Sequence, residues 1–302
     1  MQVSDPNHKL AGSGKPTVAV LLTCHNRKNK TLTFLQSLIS QPALDQLNAD
    51  VYLLDDGSTD GTSTSVAQKY PQINILNGTG SLFWAGGMRS VWAYAAAQKP
   101  YDLFFLFNDD VILMPDSIVR LLATYSAVNR NKGAILIGST LSPVTNKLSY
   151  GGHALYKPDR AAYYGLKPHD IEPVACQLAN ANIFFVDHIT VAKIGLFAGG
   201  YTHYLADFDY TITASRKGVD VVIAPGYYGY CEDDHGVNWL SAEHPLKKRI
   251  NYLYSVKGLA YKEYLRYIKK HFPKDYLGAV TKLWLKTLLP VIWDKFKRRE
   301  DK

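Results

Sequence analysis

Apolar residues in this chain cluster in short runs, each followed by polar or small residues. Thr17–Thr23 (TVAVLLT), Ala49–Leu54, Ile73–Leu76, Leu103–Phe107, Ala134–Ile137, Asn182–Asp187 and Val219–Ala224 have the length and content of buried strands. Between them the apolar spacing turns helical. Leu32, Leu35, Leu38 and Ile39 mark one face of a helix over 29–40 that stops before Pro42. Further helices are predicted over 62–69, 88–98, 116–128, 189–194 and 204–218. Alternating strand and helix, with a polar cluster after each strand, predicts an α/β fold with a doubly wound, mostly parallel sheet.

The densest run is Leu103-Phe104-Phe105-Leu106-Phe107. Five large apolar residues in succession suit a strand covered on both faces, as in a parallel sheet flanked by helices. Residues 139–178, rich in Gly, Pro, Tyr and Asn, read as hairpins and loops that cover a cleft, and 225–243 as a long polar-aromatic loop. From 246 onward the pattern is helical. The predicted organisation is a polar N-terminus over 1–16, an α/β domain over 17–245 and a basic helical extension over 246–302. The domain itself divides into two halves, 17–137 and 138–245.

Composition adds a location. The 302 residues are 47% hydrophobic, enough for a large core, and carry a net charge of +8. That charge is concentrated: His244 to Lys302 holds 16 Lys and Arg against 5 Asp and Glu, so the rest of the chain is mildly acidic. Such a tail predicts an anionic partner, with a membrane surface preferred to nucleic acid. Trp284, Leu285, Leu288, Leu289, Ile292, Trp293 and Phe296 alternate there with lysines and arginines, the composition of an interfacial helix. The alternative is a helix packed on the α/β domain or on a second copy of the chain, with a solvated charged face. Three widely spaced cysteines, no signal-peptide pattern and no run of about 18 apolar residues predict a cytoplasmic protein at the inner face of the cell membrane.

Candidate chemistry sits where the strands end. The Leu103 strand runs into Asn108-Asp109-Asp110, and adjacent carboxylates at such an edge suit a divalent cation that bridges to phosphates. Alone, the same residues suit a turn equally well. Similar clusters follow the other strands: Thr23-Cys24-His25-Asn26-Arg27, Asp55-Asp56-Gly57-Ser58-Thr59-Asp60, and Asp207 with Asp209, while His235 lies in the late loop. A parallel sheet gathers these ends along one crevice. Gly12-Ser13-Gly14-Lys15, by contrast, precedes a strand and is interrupted by Pro16, so it is not read as a phosphate loop.

In order and spacing these motifs resemble the family 2 glycosyltransferases of the GT-A fold, bacterial enzymes of surface polysaccharide assembly. The resemblance runs from about Val18 to about Tyr254 and includes Gly86-Gly87. It implies that 17–137 is the nucleotide-sugar-binding half and 138–245 the acceptor half, with nucleotide-binding roles for Thr23, His25, Arg27, Asp55, Asp56, Gly87, Asn108 and Asp109. It also implies a divalent metal (Mn²⁺ or Mg²⁺) on Asp110 and His235, and Asp207 as general base. Trp84, Tyr204 and Trp239 are candidates for stacking on acceptor sugars, with ordinary packing as the alternative for each. Two positions depart from the family pattern: Asn108 replaces the first aspartate of the metal motif, and Ala206 replaces the Glu of a Glu-Asp pair.

The implied reaction is an inverting transfer from a UDP- or dTDP-sugar to a hydroxyl of a saccharide or polyprenyl-diphosphate-linked acceptor. A homodimer is possible, and nucleic acid is not an expected partner. A sugar nucleotidyltransferase would need a glycine-rich loop after the first strand, which Cys24-His25-Asn26-Arg27 is not. A non-catalytic saccharide- or nucleotide-binding protein is the first alternative, with the sugar nucleotidyltransferase ranked below it.

Overall fold

The computed structural model describes residues 14–128, 130–233 and 239–296. The chain divides into two compact units: residues up to Ala154 with Gly165–Asp233, and Leu155–Tyr164 with the chain from Asp234 onward. This division falls ahead of residue 245, and the second unit also draws on a short segment from inside the expected acceptor half.

The first unit is built on seven strands: β1 Thr17–Cys24, β2 Asn48–Asp55, β3 Asn74–Asn77, β4 Leu103–Asn108, β5 Ala134–Leu141, β6 Ile183–Asp187 and β7 Asp220–Tyr230. They lie side by side in the order β7-β5-β6-β4-β1-β2-β3. The neighbours β1, β2, β3 and β4 are parallel, as are β5 and β7. Strand β6 runs antiparallel between β4 and β5, with Ile183 opposite Phe107 and Asp187 opposite Leu103. The mostly parallel sheet expected from the apolar runs is present, and the reversed strand is its one long exception among the described residues. Leu103 to Phe107 are all buried, as a strand covered on both faces requires.

Six helices belong to this unit: α1 Lys28–Ile39, α2 Thr62–Lys69, α3 Phe83–Gln98, α4 Ser117–Ala127, α5 His188–Ile194 and α6 Ala206–Arg216. Their buried faces follow the helical period: Thr31, Phe34, Leu35 and Leu38 in α1, and Ile118, Leu121, Thr124 and Tyr125 in α4. Phe34 and Phe105, both 0% exposed, are each stabilised by about 2–3 kcal/mol of apolar burial.

Two boundaries differ from the sequence expectation. Helix α3 starts at Phe83, five residues before Met88, because the backbone N–H groups of Leu82 and Phe83 donate to the Asp56 carboxylate. A cap supplied from 26 positions upstream leaves no local signal. Strand β7 continues to Tyr230, through Pro225-Gly226 where a loop was expected. Its register shifts between Ile223 and Tyr227 and again before Gly229, and these irregularities absorb the proline. Arg120 bonds the carbonyls of Pro225 (2.6 Å) and Tyr227 (2.9 Å) that face it there.

The second unit is helical. It holds α7 Leu246–Tyr254, α8 Tyr261–His271, α9 Tyr276–Leu288 and α10 Val291–Phe296, around Leu253, Leu265, Ile268, Phe272 and Leu283. Arg249 donates to the carbonyl of Thr287 at 2.8 Å, and Trp239 to Asp294 at 2.9 Å. No described helix is long and apolar enough to cross a membrane.

Candidate active site at the sheet edge

The loop after β1 is locked to the loop after β2. His25 Nδ1 lies 2.6 Å from the Asp56 carbonyl, the Asn26 N–H donates to Ser58 Oγ, and the Thr59 N–H donates to Asn26 Oδ1. Asn26 adopts φ 51°, a conformation that asparagine tolerates well. His25 is exposed, so its ring is available at the surface of this edge.

The two aspartates after β2 are buried and satisfied by different partners. Asp55 accepts the N–H of Ser58 (2.9 Å) and the hydroxyl of Ser63. Asp56 accepts three backbone N–H groups, from Gly80 and Leu82 at 2.8 Å and from Phe83 at 3.0 Å. Its carboxylate thereby shapes the turn that starts α3. Thr23 and Gly87 lie against one another, and a β-carbon at Gly87 would overlap Thr23 Oγ1. The glycine thus lets α3 rest on the end of β1.

At the end of β4, three consecutive residues meet three different environments. Asn108 accepts the indole N–H of Trp84 at 2.7 Å. Asp109, 4% exposed, accepts Arg27 (3.1 Å) and Thr31 (2.9 Å). Burial pushes the Asp109 carboxyl up to about 6, against the opposing pull of Arg27. Asp110 accepts Arg27 Nη1 on Oδ2 at 2.8 Å, with Lys30 Nζ 3.9 Å from the same oxygen. Burial lowers the Arg27 pKa, but the charges of Asp109 and Asp110 outweigh it and hold the guanidinium above its ordinary value. A cleft of about 260 Å³ opens beside Asp110, between Lys30 and Thr33 of α1, Ile112, and Tyr230 to Glu232.

The strand-end motifs connect to Asp207 through β6, whose antiparallel direction brings its first residues to this edge. The Asn108 N–H donates to the Asn182 carbonyl at 3.1 Å, and the Ala181 N–H donates to Asp207 Oδ2 at 3.2 Å. Asn182 Nδ2 also reaches Cys231 Sγ (3.5 Å), which in turn lies 3.6 Å from Asp110 Oδ1. Asp207 is 9% exposed, at the first turn of α6. Leu205, just before that helix, adopts φ 75°, a left-handed conformation costly for a branched side chain.

Among the expected aromatic contacts, Trp84 and Tyr204 are half-buried in this unit. Tyr201 is buried, and its hydroxyl donates to Asp209 at 2.8 Å. Trp239 is 7% exposed and belongs to the helical unit. His235 lies outside the described residues. Sequence reading missed Lys30, Thr31, Asn182 and Cys231. Of these only Lys30 and Thr31 carry a signal, their position one helical turn after the Arg27 loop.

The Asp110 carboxylate, its side chain 9% exposed, borders the cleft and is balanced by Arg27 and Lys30. Among the described residues no three His, Cys, Asp or Glu groups converge on one point. A Mg²⁺ or Mn²⁺ at this edge would be held by one or two carboxylates, with phosphate and water oxygens as its remaining ligands.

Comparison with known proteins agrees with this geometry. Residues 19–170, half of the chain, match the sequence profile of Glycosyl transferase family 2. Among solved structures, TarS of S. aureus superposes with a TM-score of 0.51 at 13% identity, over 72% of this chain and 36% of TarS. Its 1–349 fragment in complex with UDP gives 0.51 at 14% identity, over 72% and 60% of the two chains. A mannosyltransferase, PcManGT from Pyrobaculum calidifontis in complex with GDP-Man and Mn²⁺, gives 0.53 at 14% identity, over 94% and 72%. The chain thus spans about a third of that TarS chain. No curated protein sequence matches it significantly. The mostly parallel sheet and its flanking helices form a GT-A fold, and the chain belongs to glycosyl transferase family 2.

Proposed function

We propose that this chain moves a sugar from a nucleotide-diphosphate sugar to an acceptor hydroxyl in one inverting displacement. The observation that carries the reading is the set of contacts at one sheet edge that runs from Arg27 through Asp110 and Cys231 to Asn182, whose chain neighbour Ala181 bonds Asp207. The loops after β1 and β2, with Thr23, His25, Asp55 and Asp56, form the nucleotide side. Asn108 and Asp109 fix the end of β4 beside them.

Asp110 would hold the Mn²⁺ or Mg²⁺, which when bound neutralises charge on the departing diphosphate. Asp207 takes the proton of the attacking hydroxyl, held in place by the Ala181 N–H. Trp84 and Tyr204 are the proposed acceptor contacts. UDP-, dTDP- and GDP-linked sugars are the donors to screen: purified protein should release nucleotide with one of them in Mn²⁺, and lose that release in EDTA. Binding of a nucleotide sugar without release, across plausible acceptors, would favour a non-catalytic saccharide-binding protein.

A membrane-surface role for the helical unit is supported by exposed side chains on α9 and α10: Leu277, Leu285, Leu288, Leu289, Val291 and Ile292. Lys286, expected on a solvated face, is 7% exposed and does not contribute. The acceptor this placement favours is a polyprenyl-diphosphate-linked saccharide in bacterial surface polysaccharide assembly, at the inner face of the membrane. Co-sedimentation with anionic vesicles, reduced by Leu288→Glu with Ile292→Glu, tests it.

A further inference from the structure

The carboxylate assigned to the metal already has a cation. Arg27 Nη1 sits 2.8 Å from Asp110 Oδ2 and 3.1 Å from Asp109 Oδ1, so one guanidinium spans both acids. Lys30 stands 3.9 Å behind the same Asp110 oxygen and 3.5 Å from Glu232. A divalent ion taking Asp110 Oδ2 as a ligand needs that oxygen at about 2.0–2.1 Å, within the space Arg27 now fills. Arg27 is 41% exposed and free to swing outward, whereas Asp109 keeps its second bond to Thr31.

We propose that Arg27 is a built-in competitor of the divalent cation at Asp110. Resting on the metal assignment above, the idea adds that ion entry displaces the guanidinium from Oδ2. It follows that the metal alone binds weakly, because Arg27 and Lys30 oppose a further positive charge. A diphosphate entering with the ion supplies negative charge for the released guanidinium and for Lys30. Metal and diphosphate therefore bind with positive coupling, and Arg27 is a main source of it. The side chain acts as a positioning residue: it keeps the two acids apart from bulk cations until the donor arrives.

The test is a Mn²⁺ titration followed by the electron paramagnetic resonance signal of the free ion, on the full chain, with and without inorganic pyrophosphate. Arg27→Met keeps the length of the side chain and removes the charge. It should bind Mn²⁺ alone roughly two- to fivefold more tightly than wild type, the worth of a partly exposed ion pair. The enhancement by pyrophosphate should shrink by a similar factor, and Arg27→Lys should stay near wild type. Unchanged or weaker Mn²⁺ binding by Arg27→Met overturns the proposal. Asp110→Asn separates the two failures. If it abolishes Mn²⁺ binding while Arg27→Met gains nothing, only the competition is wrong. If it leaves Mn²⁺ binding intact, the metal assignment falls and the competition with it.

Discussion

The indole N–H of Trp84 donates to the side-chain carbonyl of Asn108 at 2.7 Å, tying the start of α3 to the end of β4. Asn108 is the position where the family pattern has an aspartate, so the departure has a structural use: a neutral acceptor for tryptophan beside two acids. A double-mutant cycle of Trp84→Phe and Asn108→Ala should show a coupling of about 1 kcal/mol in urea unfolding. Coupling below about 0.3 kcal/mol would mean that the contact contributes nothing to the fold.

Asp207 accepts the Ala181 N–H on Oδ2 and the Phe208 N–H on Oδ1, and the single oxygen of an amide keeps one of these bonds at a loss of about 1–3 kcal/mol for the other. Asp207→Asn should keep the fold and donor affinity while losing about 10²–10⁴-fold in turnover. Calorimetry for the donor and initial rates for transfer separate the two effects. Wild-type-like turnover would exclude Asp207 as the base.

Asp56 offers a stability test distinct from catalysis. Asp56→Ala leaves three backbone N–H groups without their acceptor and should cost about 3–5 kcal/mol. Gly78→Ala acts on the same carboxylate from the other side, since its β-carbon would lie 2.6 Å from Asp56 Oδ1 and 2.9 Å from Asp56 Cα. A cost of about 1–3 kcal/mol is expected there, read from the shift in urea midpoint.

Asp109 makes a prediction in pH. Its folded-state pKa of about 6 lies above the model-peptide value, so the ionised form is destabilising above pH 6. That cost, about 3 kcal/mol, is relieved as the pH falls from 6 towards 4. Asp109→Asn, which mimics the neutral form, should be more stable than wild type at pH 8 and close to it at pH 4. An equal difference at both pH values would show that Asp109 ionises without penalty.

How much of this was legible beforehand follows from what a sequence records. Buried parallel strands print as apolar runs, so β1, β2, β4 and β5 and the polar clusters after them were found. Strand direction leaves no such print: Ile183-Phe184-Phe185-Val186 reads the same whether it runs with its neighbours or against them. Contacts across long sequence separations were equally silent. Nothing near Asp56 announces that it caps a helix 27 residues later, and nothing near Arg27 reveals that it bridges Asp109 and Asp110. The residues were identifiable; their mutual satisfaction was not.

The reversed strand also bears on the order in which the molecule is made. During synthesis β1 to β4 emerge first and find their partners among themselves. Strand β5 leaves the ribosome next, but both of its long neighbours, β6 and β7, lie further along the chain. Until residue 187 has emerged, Ala134–Leu141 has only the short Leu148–Tyr150 segment to pair with, and β4 keeps an open edge of Phe and Leu. The half that carries the loops after β1 and β2 can thus form early, while Asp207, the proposed base, waits for a strand that closes two edges at once.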